Sequence, residues 1–250
     1  MTRELLSIVT ISRNDRNGLS RTLESVSRIM PLGAQHVVVD GGDEAVCHSS
    51  ELLRGDEVIY VRQSGQGISN AFNEGLDSSS GEWVWFVNGG DAVHENLDAS
   101  WLFTHLAQTR ANVVFGTIQF DDEAKPREMP LLKQQWPLLV CWPLHPGAIV
   151  RRRVLLEAGG FHQRWRVAMD YDFWFRALNR HSRVDVISVC LARFDTKGIS
   201  ERPETRRLAK REAAQVLLLH SGAAFRDIIC LLARASWKWL RALGTLLGIP

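Results

Sequence analysis

Carboxylates placed at the ends of apolar runs are the residues of this 250-residue sequence best suited to chemistry. The clearest case is the stretch 82–91, Glu-Trp-Val-Trp-Phe-Val-Asn-Gly-Gly-Asp, where a near-continuous apolar run stops at two glycines and an acid. Such a run, bounded by Gly81 and Gly89, predicts a strand buried on both faces of a mainly parallel sheet. Asp91 then falls at the carboxyl edge of that sheet, where open α/β folds bind ligands. A hard divalent cation shared with a pyrophosphate needs only one or two protein carboxylates, because water and substrate oxygens fill its other positions. Asp91 is therefore a candidate metal ligand, with Gly89 and Gly90 allowing a close or positive-φ backbone. Asn-Gly and Gly-Asp are equally common as plain turn pairs.

Two further acids stand in comparable settings. Asp40 ends the β-branched run Val37-Val38-Val39 and precedes Gly41-Gly42. It can accept from a base N–H or a ribose hydroxyl, as an acid does at this place in dinucleotide-binding sheets, or bond its own backbone in a turn. Asp170 and Asp172 lie in Ala168-Met169-Asp170-Tyr171-Asp172-Phe173-Trp174-Phe175-Arg176. On a helix, positions i and i+2 point to different sides, so one carboxylate can face a cavity while the other caps the helix start. Two capping acids without chemistry satisfy the same pattern.

The elements that must position these acids alternate along the first half of the chain. Leu5 to Ile11, 37–39, Glu57 to Arg62, 82–87 and Val113 to Phe120 read as strands. Leu19 to Met30, Ile68 to Leu76 and Leu97 to Gln108 read as helices, the first stopped by Pro31 and Gly33. That alternation predicts a parallel, three-layer α/β sheet. Later, 121–126 reads as a polar turn between antiparallel strands and His145-Pro146-Gly147 as a break. Asp172 to Leu178 is expected to be helical and Val184 to Phe194 extended. No internal repeat or low-complexity linker marks a second domain before residue 200.

Composition excludes several classes. With 45% hydrophobic and 23% charged residues the chain is an ordinary globular one, not a disordered one, and a net charge of +2 is too small to imply nucleic-acid binding. The four cysteines are scattered without metal-finger spacing and read as reduced and structural. No uninterrupted apolar run approaches the roughly 20 residues that span a bilayer, and the amino terminus is too briefly apolar for a signal peptide.

Taken in order, these motifs resemble family 2 glycosyltransferases of the A-type fold, the inverting group that builds bacterial surface polysaccharides. The matching elements are 7–11 with Asn14, 38–42, 67–75, and Gly81-Glu82 leading to Asn88-Gly89-Gly90-Asp91. Beyond these come His145-Pro146, Gly160-Phe161, Asp170-Tyr171-Asp172 with Arg176, and Gly198-Ile199-Ser200. The resemblance implies a three-layer Rossmann-like nucleotide-diphospho-sugar transferase fold over residues 1–200, with a helical extension over 201–250. It implies that Thr10, Ser12 and Asp40 surround the nucleotide and that the segment from Gly67 to Gly75 closes over base and ribose. Asn73 would lie near the diphosphate sugar, and Asn88 belongs to the same donor site. Asp91 corresponds to the last acid of the family's D-x-D motif, which holds Mg2+ or Mn2+. Asp170 corresponds to the general base. His145 falls on the acceptor side. Asp172 and Arg176 either support the helix or touch the acceptor.

An inverting transfer needs a carboxylate that removes the acceptor proton and a cation that stabilises the departing nucleoside diphosphate. The chain departs from the family pattern at Gly90 and Gln66, where acids are common. This motivates an alternative reading as a catalytically silent, membrane-associated nucleotide-binding module. Trp136, Trp142, Trp165 and Trp174 can each stack on a sugar or pack the core. Beyond residue 200, Glu204 to His220 reads as helical. Phe225 to Leu247 then sets apolar residues on one helical face and Arg234, Lys238 and Arg241 on the other. That pattern suits an anionic membrane interface, with a lipid-linked saccharide as acceptor and a location on the inner face of the cell membrane.

Overall fold

The computed structural model describes residues 4–42, 58–123, 144–178, 182–196, 198 and 203–220. Apolar runs become its central strands. All residues of β2 (Ala34–Asp40) and β4 (Trp83–Phe86) are buried, as are the first five of β1 (Leu6–Ser12), as expected of parallel strands covered on both faces. β3 (Val58–Arg62) is only partly buried and ends the sheet on one side.

Two helices begin where a side chain takes one of their free N–H groups. Asp15 accepts from Gly18 at the start of α1 (Arg16–Ser27), and Asp98 accepts from Trp101 at the start of α3 (Ala99–Gln108). α2 (Ile68–Ser78) follows Gly67, whose φ of 87° an L side chain rarely adopts. It presses so closely on β1 that a Cβ on Gly75 would stand 2.3 Å from Val9. The turn after α1 ends at Gly33, beyond Pro31, as the sequence predicts.

The remaining elements are β5 (Ala92–Val93), β6 (Val113–Phe120), β7 (Ala148–Arg151), α4 (Arg152–Glu157), α5 (Met169–Ala177), β8 (Val184–Phe194) and α6 (Pro203–His220). One sheet runs β3-β2-β1-β4-β7-β6-β8-β5. β3, β2, β1 and β4 are mutually parallel, and β6 and β8 run the same way. β7 is antiparallel to both its neighbours and β5 to β8, so the sheet is mainly parallel with two reversed strands. The short β5, β7 and α4 lie outside the elements that the sequence pattern marks.

Apolar layers cover both sheet faces. Val9, Val37 and Val39 pack with Phe72, Leu155, Trp174 and Val216 of α2, α4, α5 and α6. Leu6, Ile8 and Trp85 pack with Val26, Leu102 and Leu106 of α1 and α3 on the other. This is the three-layer α/β arrangement. Trp165 and Trp174 belong to the first layer and so serve as core, while Trp136 and Trp142 lie outside the described residues. The amphipathic stretch 225–247 also lies outside them. Among the described residues no helix is long and apolar enough to cross a membrane.

Candidate active site

Successive connections carry the chain from β1 outward through β2 to β3, then back to β4 on the other side of β1. The reversal opens a crevice at the carboxyl ends of β1 and β4, the place where such sheets bind ligands. A cavity of about 740 Å³ occupies it, lined among others by Ser12, Asn88, Asp91, His145, Asp170 and Asp195. Asp91 and Asp170, far apart in sequence, thus face one space.

Asp91 is buried directly after the loop that leaves β4. Its N–H returns to the carbonyl of Asn88 at 2.9 Å, and Gly90 between them has a φ of 101°. The Thr22 hydroxyl of α1 lies 2.6 Å from the Asp91 carbonyl and accepts the Gly90 N–H at 3.1 Å, which fixes the loop from below. Oδ1 of Asp91 accepts the N–H of Asp195 at 2.9 Å. Burial pushes the Asp91 carboxyl up to about 7, with the Asp195 charge adding to the rise and amide hydrogen bonds opposing it.

Asp195 lines the cavity although it belongs to none of the sequence motifs. It follows β8, whose long crossing brings the chain end beside Asp91. A Cβ at Gly90 would stand 2.6 Å from its Oδ2, so its carboxylate occupies the space that a side chain at position 90 would need. An acid directly after a predicted strand was the available signal, the same one that singles out Asp40 and Asp91. A hard cation suits the oxygen donors here: the two carboxylates and Asn88 Oδ1, a buried atom without a hydrogen-bond partner among the described residues. Among those residues no cluster of three or more His, Cys, Asp or Glu forms a cage. The donor set therefore fits a cation shared with substrate oxygens.

Asp170 enters the cavity from the first turn of α5, with Oδ1 accepting the Tyr171 N–H at 2.7 Å. Burial pushes it up to about 6, against the opposing pull of backbone N–H groups. His145 stands opposite, held by the turn before β7, whose Pro146 carbonyl accepts the Trp85 indole N–H at 2.9 Å. Its ring sits 5.1 Å from Phe72, 5.6 Å from Phe86 and 5.4 Å from Phe161. Burial drives its pKa down to about 3, so the imidazole is neutral at pH 7.

Several expected site residues are turned elsewhere. Asp172 is on the opposite side of α5 from Asp170, as the i, i+2 relation requires, and it is fully buried. It accepts from Arg176 Nε at 2.8 Å and lies 3.0 Å from His220 Nε2. His162 Nδ1 stands 2.9 Å away, out of hydrogen-bond alignment. Burial would raise its pKa, but hydrogen bonds from His220 and Arg176 prevail and hold the carboxyl below its ordinary range. Arg176 also donates to the carbonyls of Ala158 and Gly160. Neither residue lines the cavity; both fasten the back of the helix.

Thr10 shares a strand face with Ser12 but sits deeper, inside the sheet. It donates to the Val87 carbonyl at 2.8 Å and meets His36 Nε2 at 2.9 Å, so its hydroxyl is engaged within the core and it does not line the cavity. Asn73 clamps Phe161 and does not line the cavity, its amide exchanging two 2.8 Å hydrogen bonds with that residue's backbone. It follows Phe72, which does line the cavity, and the helical turn rotates it away. Gly67 caps α2 outside the cavity lining, where Ile68 takes its place. Asp40 is buried at the end of β2, in register with Ser12 but outside the lining. Gly42 N–H, Tyr60 hydroxyl and Arg62 occupy its carboxylate at 2.8, 2.9 and 3.2 Å. Ser12 and Asn88 do line the cavity, each with a buried side-chain oxygen unpartnered among the described residues.

The family model described as Glycosyl transferase family 2 matches residues 7–186. A glycosyltransferase of Mycobacterium tuberculosis (strain CDC 1551 / Oshkosh), itself uncharacterized, is 28% identical over 217 residues, covering 80% of this chain and 78% of its own. A PGL/p-HBAD biosynthesis glycosyltransferase of Mycobacterium bovis (strain BCG / Pasteur 1173P2) is 24% identical over 195 residues, covering 74% and 73%. Among solved structures, S. aureus TarS 1-349 superposes with a TM-score of 0.66 at 18% identity, covering 90% of this chain and 67% of that one. Its complex with UDP gives 0.67 at 18%, covering 90% and 68%. At such identities the structural likeness is one of fold. The family match runs from β1 into β8 and contains Ser12, Asn88, Asp91, His145 and Asp170, so the chain belongs to glycosyl transferase family 2.

Proposed function

We propose that this family member transfers a single sugar, with inversion, from a nucleoside diphosphate sugar to an acceptor hydroxyl. The observation that carries the proposal is the opening of Asp91 and Asp170 into one cavity at the switch point of the sheet. With its carboxyl pushed up to about 6, Asp170 is ionised at pH 7 yet basic enough to take a proton as the acceptor oxygen develops positive charge. The acceptor oxygen bonds the anomeric carbon, and the bond from that carbon to the diphosphate oxygen breaks, its electron pair leaving with the nucleoside diphosphate. The acceptor proton goes to Asp170. A single displacement of this kind inverts the anomeric centre.

Asp91, Asp195 and Asn88 would hold Mg2+ or Mn2+, which when bound neutralises charge on the leaving diphosphate. Ser12 offers a hydroxyl to the donor from the same wall, and neutral His145 borders the acceptor side as an aromatic surface whose Nε2 has no hydrogen-bond partner among the described residues. The TarS complexes with UDP and with UDP-GlcNAc support a uridine nucleotide donor. The relative named for PGL/p-HBAD biosynthesis supports a biosynthetic transfer rather than sugar breakdown.

A lipid-linked saccharide is the proposed acceptor and the inner surface of the cell membrane the proposed location. Exposed Arg206, Arg207, Lys210 and Arg211 on α6 support attraction to anionic lipid. The amphipathic pattern of 225–247 supplies apolar side chains for the interface.

The test is a panel of UDP-, GDP- and dTDP-sugars with varied saccharide acceptors, with and without Mn2+. Transfer is expected with at least one donor, and Asp170→Asn lowers kcat by at least about 100-fold. Full turnover in Asp170→Asn, or donor binding without turnover under every condition, overturns the proposal.

A further inference from the structure

Behind Asp170, two segments distant in sequence meet. Glu212 of α6 is buried and turns its carboxylate to the chain just before α5. Oε1 accepts the N–H of Arg166 at 3.0 Å, and Oε2 accepts those of Val167 at 2.8 Å and Ala168 at 3.0 Å. Ala168 is the N-cap of α5 and has no side-chain acceptor of its own, while Val167 and Met169 line the cavity. A helix start needs acceptors for its free N–H groups, and here a different helix supplies one at the entrance to the turn that carries Asp170.

The same helix holds α5 twice more. Val216 is fully buried in the core layer with Trp165 and Tyr171, and His220 reaches Asp172. Glu212, Val216 and His220 are spaced by four residues and therefore share one helical face. Trp165 is tied from the other side, its carbonyl accepting the Ser69 hydroxyl at 3.0 Å.

We infer that Glu212 is a positioning residue for Asp170: by gathering the N–H groups of 166–168 it sets where α5 begins and so aims the Asp170 carboxylate into the cavity. The inference rests on the reading of Asp170 as the general base. Without the Glu212 carboxylate the buried N–H of Ala168 and the part-buried N–H groups of Arg166 and Val167 lose their acceptor, and the peptide planes of 166–168 rotate to recover partners. A displacement of about 1 Å at a catalytic group costs on the order of 100-fold in rate.

Full-chain Glu212→Ala and Glu212→Gln are compared using the panel sugar nucleotide that wild type turns over fastest. Glu212→Ala is expected to lower kcat by about 30- to 100-fold with donor KM changed less than about threefold, because orientation and not donor binding is lost. Glu212→Gln keeps one acceptor oxygen and loses less, and Gln215→Ala on the exposed side of α6 has no effect. In an Asp170→Asn background Glu212→Ala lowers kcat no further, since it acts through that carboxylate. Hydrogen exchange at 166–168, which needs no substrate, quickens in both Glu212 variants. An unchanged kcat in Glu212→Ala, a further loss in the Asp170→Asn background, or unaltered exchange overturns the inference. If Glu212→Ala does not fold, Glu212→Gln decides by the same readings. Wild-type turnover in Asp170→Asn removes the base reading itself, and is seen before any Glu212 variant is made.

Discussion

The main-chain N–H of Asp195 donates to Oδ1 of Asp91 at 2.9 Å, while the Asp195 carboxylate fills the space over Gly90. One residue thus fixes the orientation of the buried acid through its backbone and places a second carboxylate beside it. Asp195→Ala leaves the backbone bond in place and removes only the carboxylate. The expected outcome is at least about a tenfold loss of Mn2+ affinity by calorimetry, as follows loss of a neighbour that orients or completes a metal site. Unchanged affinity would exclude Asp195 from that site.

Restoring an acid at position 90 is expected to fail. Gly90 has a φ of 101°, and its Cβ position is taken. Gly90→Asp meets backbone strain of roughly 1–2 kcal/mol and a clash with Asp195. A lowered melting temperature and weaker Mn2+ binding than wild type are the outcomes to look for.

The rate of transfer should fall as pH drops through about 6, because protonated Asp170 cannot accept the acceptor proton. His145→Phe leaves that limb in place, since the imidazole is already neutral over the whole range, and raises the acceptor KM. A limb that moves or vanishes in His145→Phe would transfer the proton role to His145. The pH–rate profile of both proteins is the measurement.

The same carboxyl lowers stability at high pH. Its folded pKa is raised to about 6 from 3.8, so between those values the folded chain holds a proton that the unfolded chain has released. The stabilisation is fully present below the unfolded value and is lost as pH rises through the folded value. Asp170→Asn, neutral in both states, is therefore expected to melt a few degrees above wild type at pH 8, with the gap closing by about pH 4. Thermal melts at the two pH values check it.

Thr10→Val and Ser12→Ala separate core from site. The first removes buried hydrogen bonds to Val87 and His36, with an expected loss of about 1–3 kcal/mol in urea unfolding and no change in donor KM. The second removes a hydroxyl from the cavity wall and is expected to raise donor KM at near-normal stability.

Much of the sheet was legible because buried strands are near-continuous apolar runs, and Asp91 and Asp170 stood out as acids beside such a run or at a helix start, a pattern that turn and capping acids share until the cavity brings the two together. Depth was not legible. Thr10 and Ser12 have the same side-chain period along one strand, and only the position of the sheet edge tells the core hydroxyl from the one that lines the cavity. Asn73 could be told from Phe72 only by knowing which side of α2 faces the crevice. Glu212 looks in sequence like any acid on a charged helix, since its partners are backbone N–H groups that carry no residue signature. The reversed β7 owes its place to pairing with β4 and β6, which local patterning does not encode.

The crevice draws its walls from the first strand and from the end of the eighth and just beyond it, with Ile11 and Gly198 as its outermost contributors. A ribosome must therefore release the whole family-matched span, which ends at residue 186, and the stretch after it before the crevice can close. Shorter nascent chains would expose a half-built sheet without its crevice, so ligand rescue of folding opens only once the residues up to Gly198 have emerged.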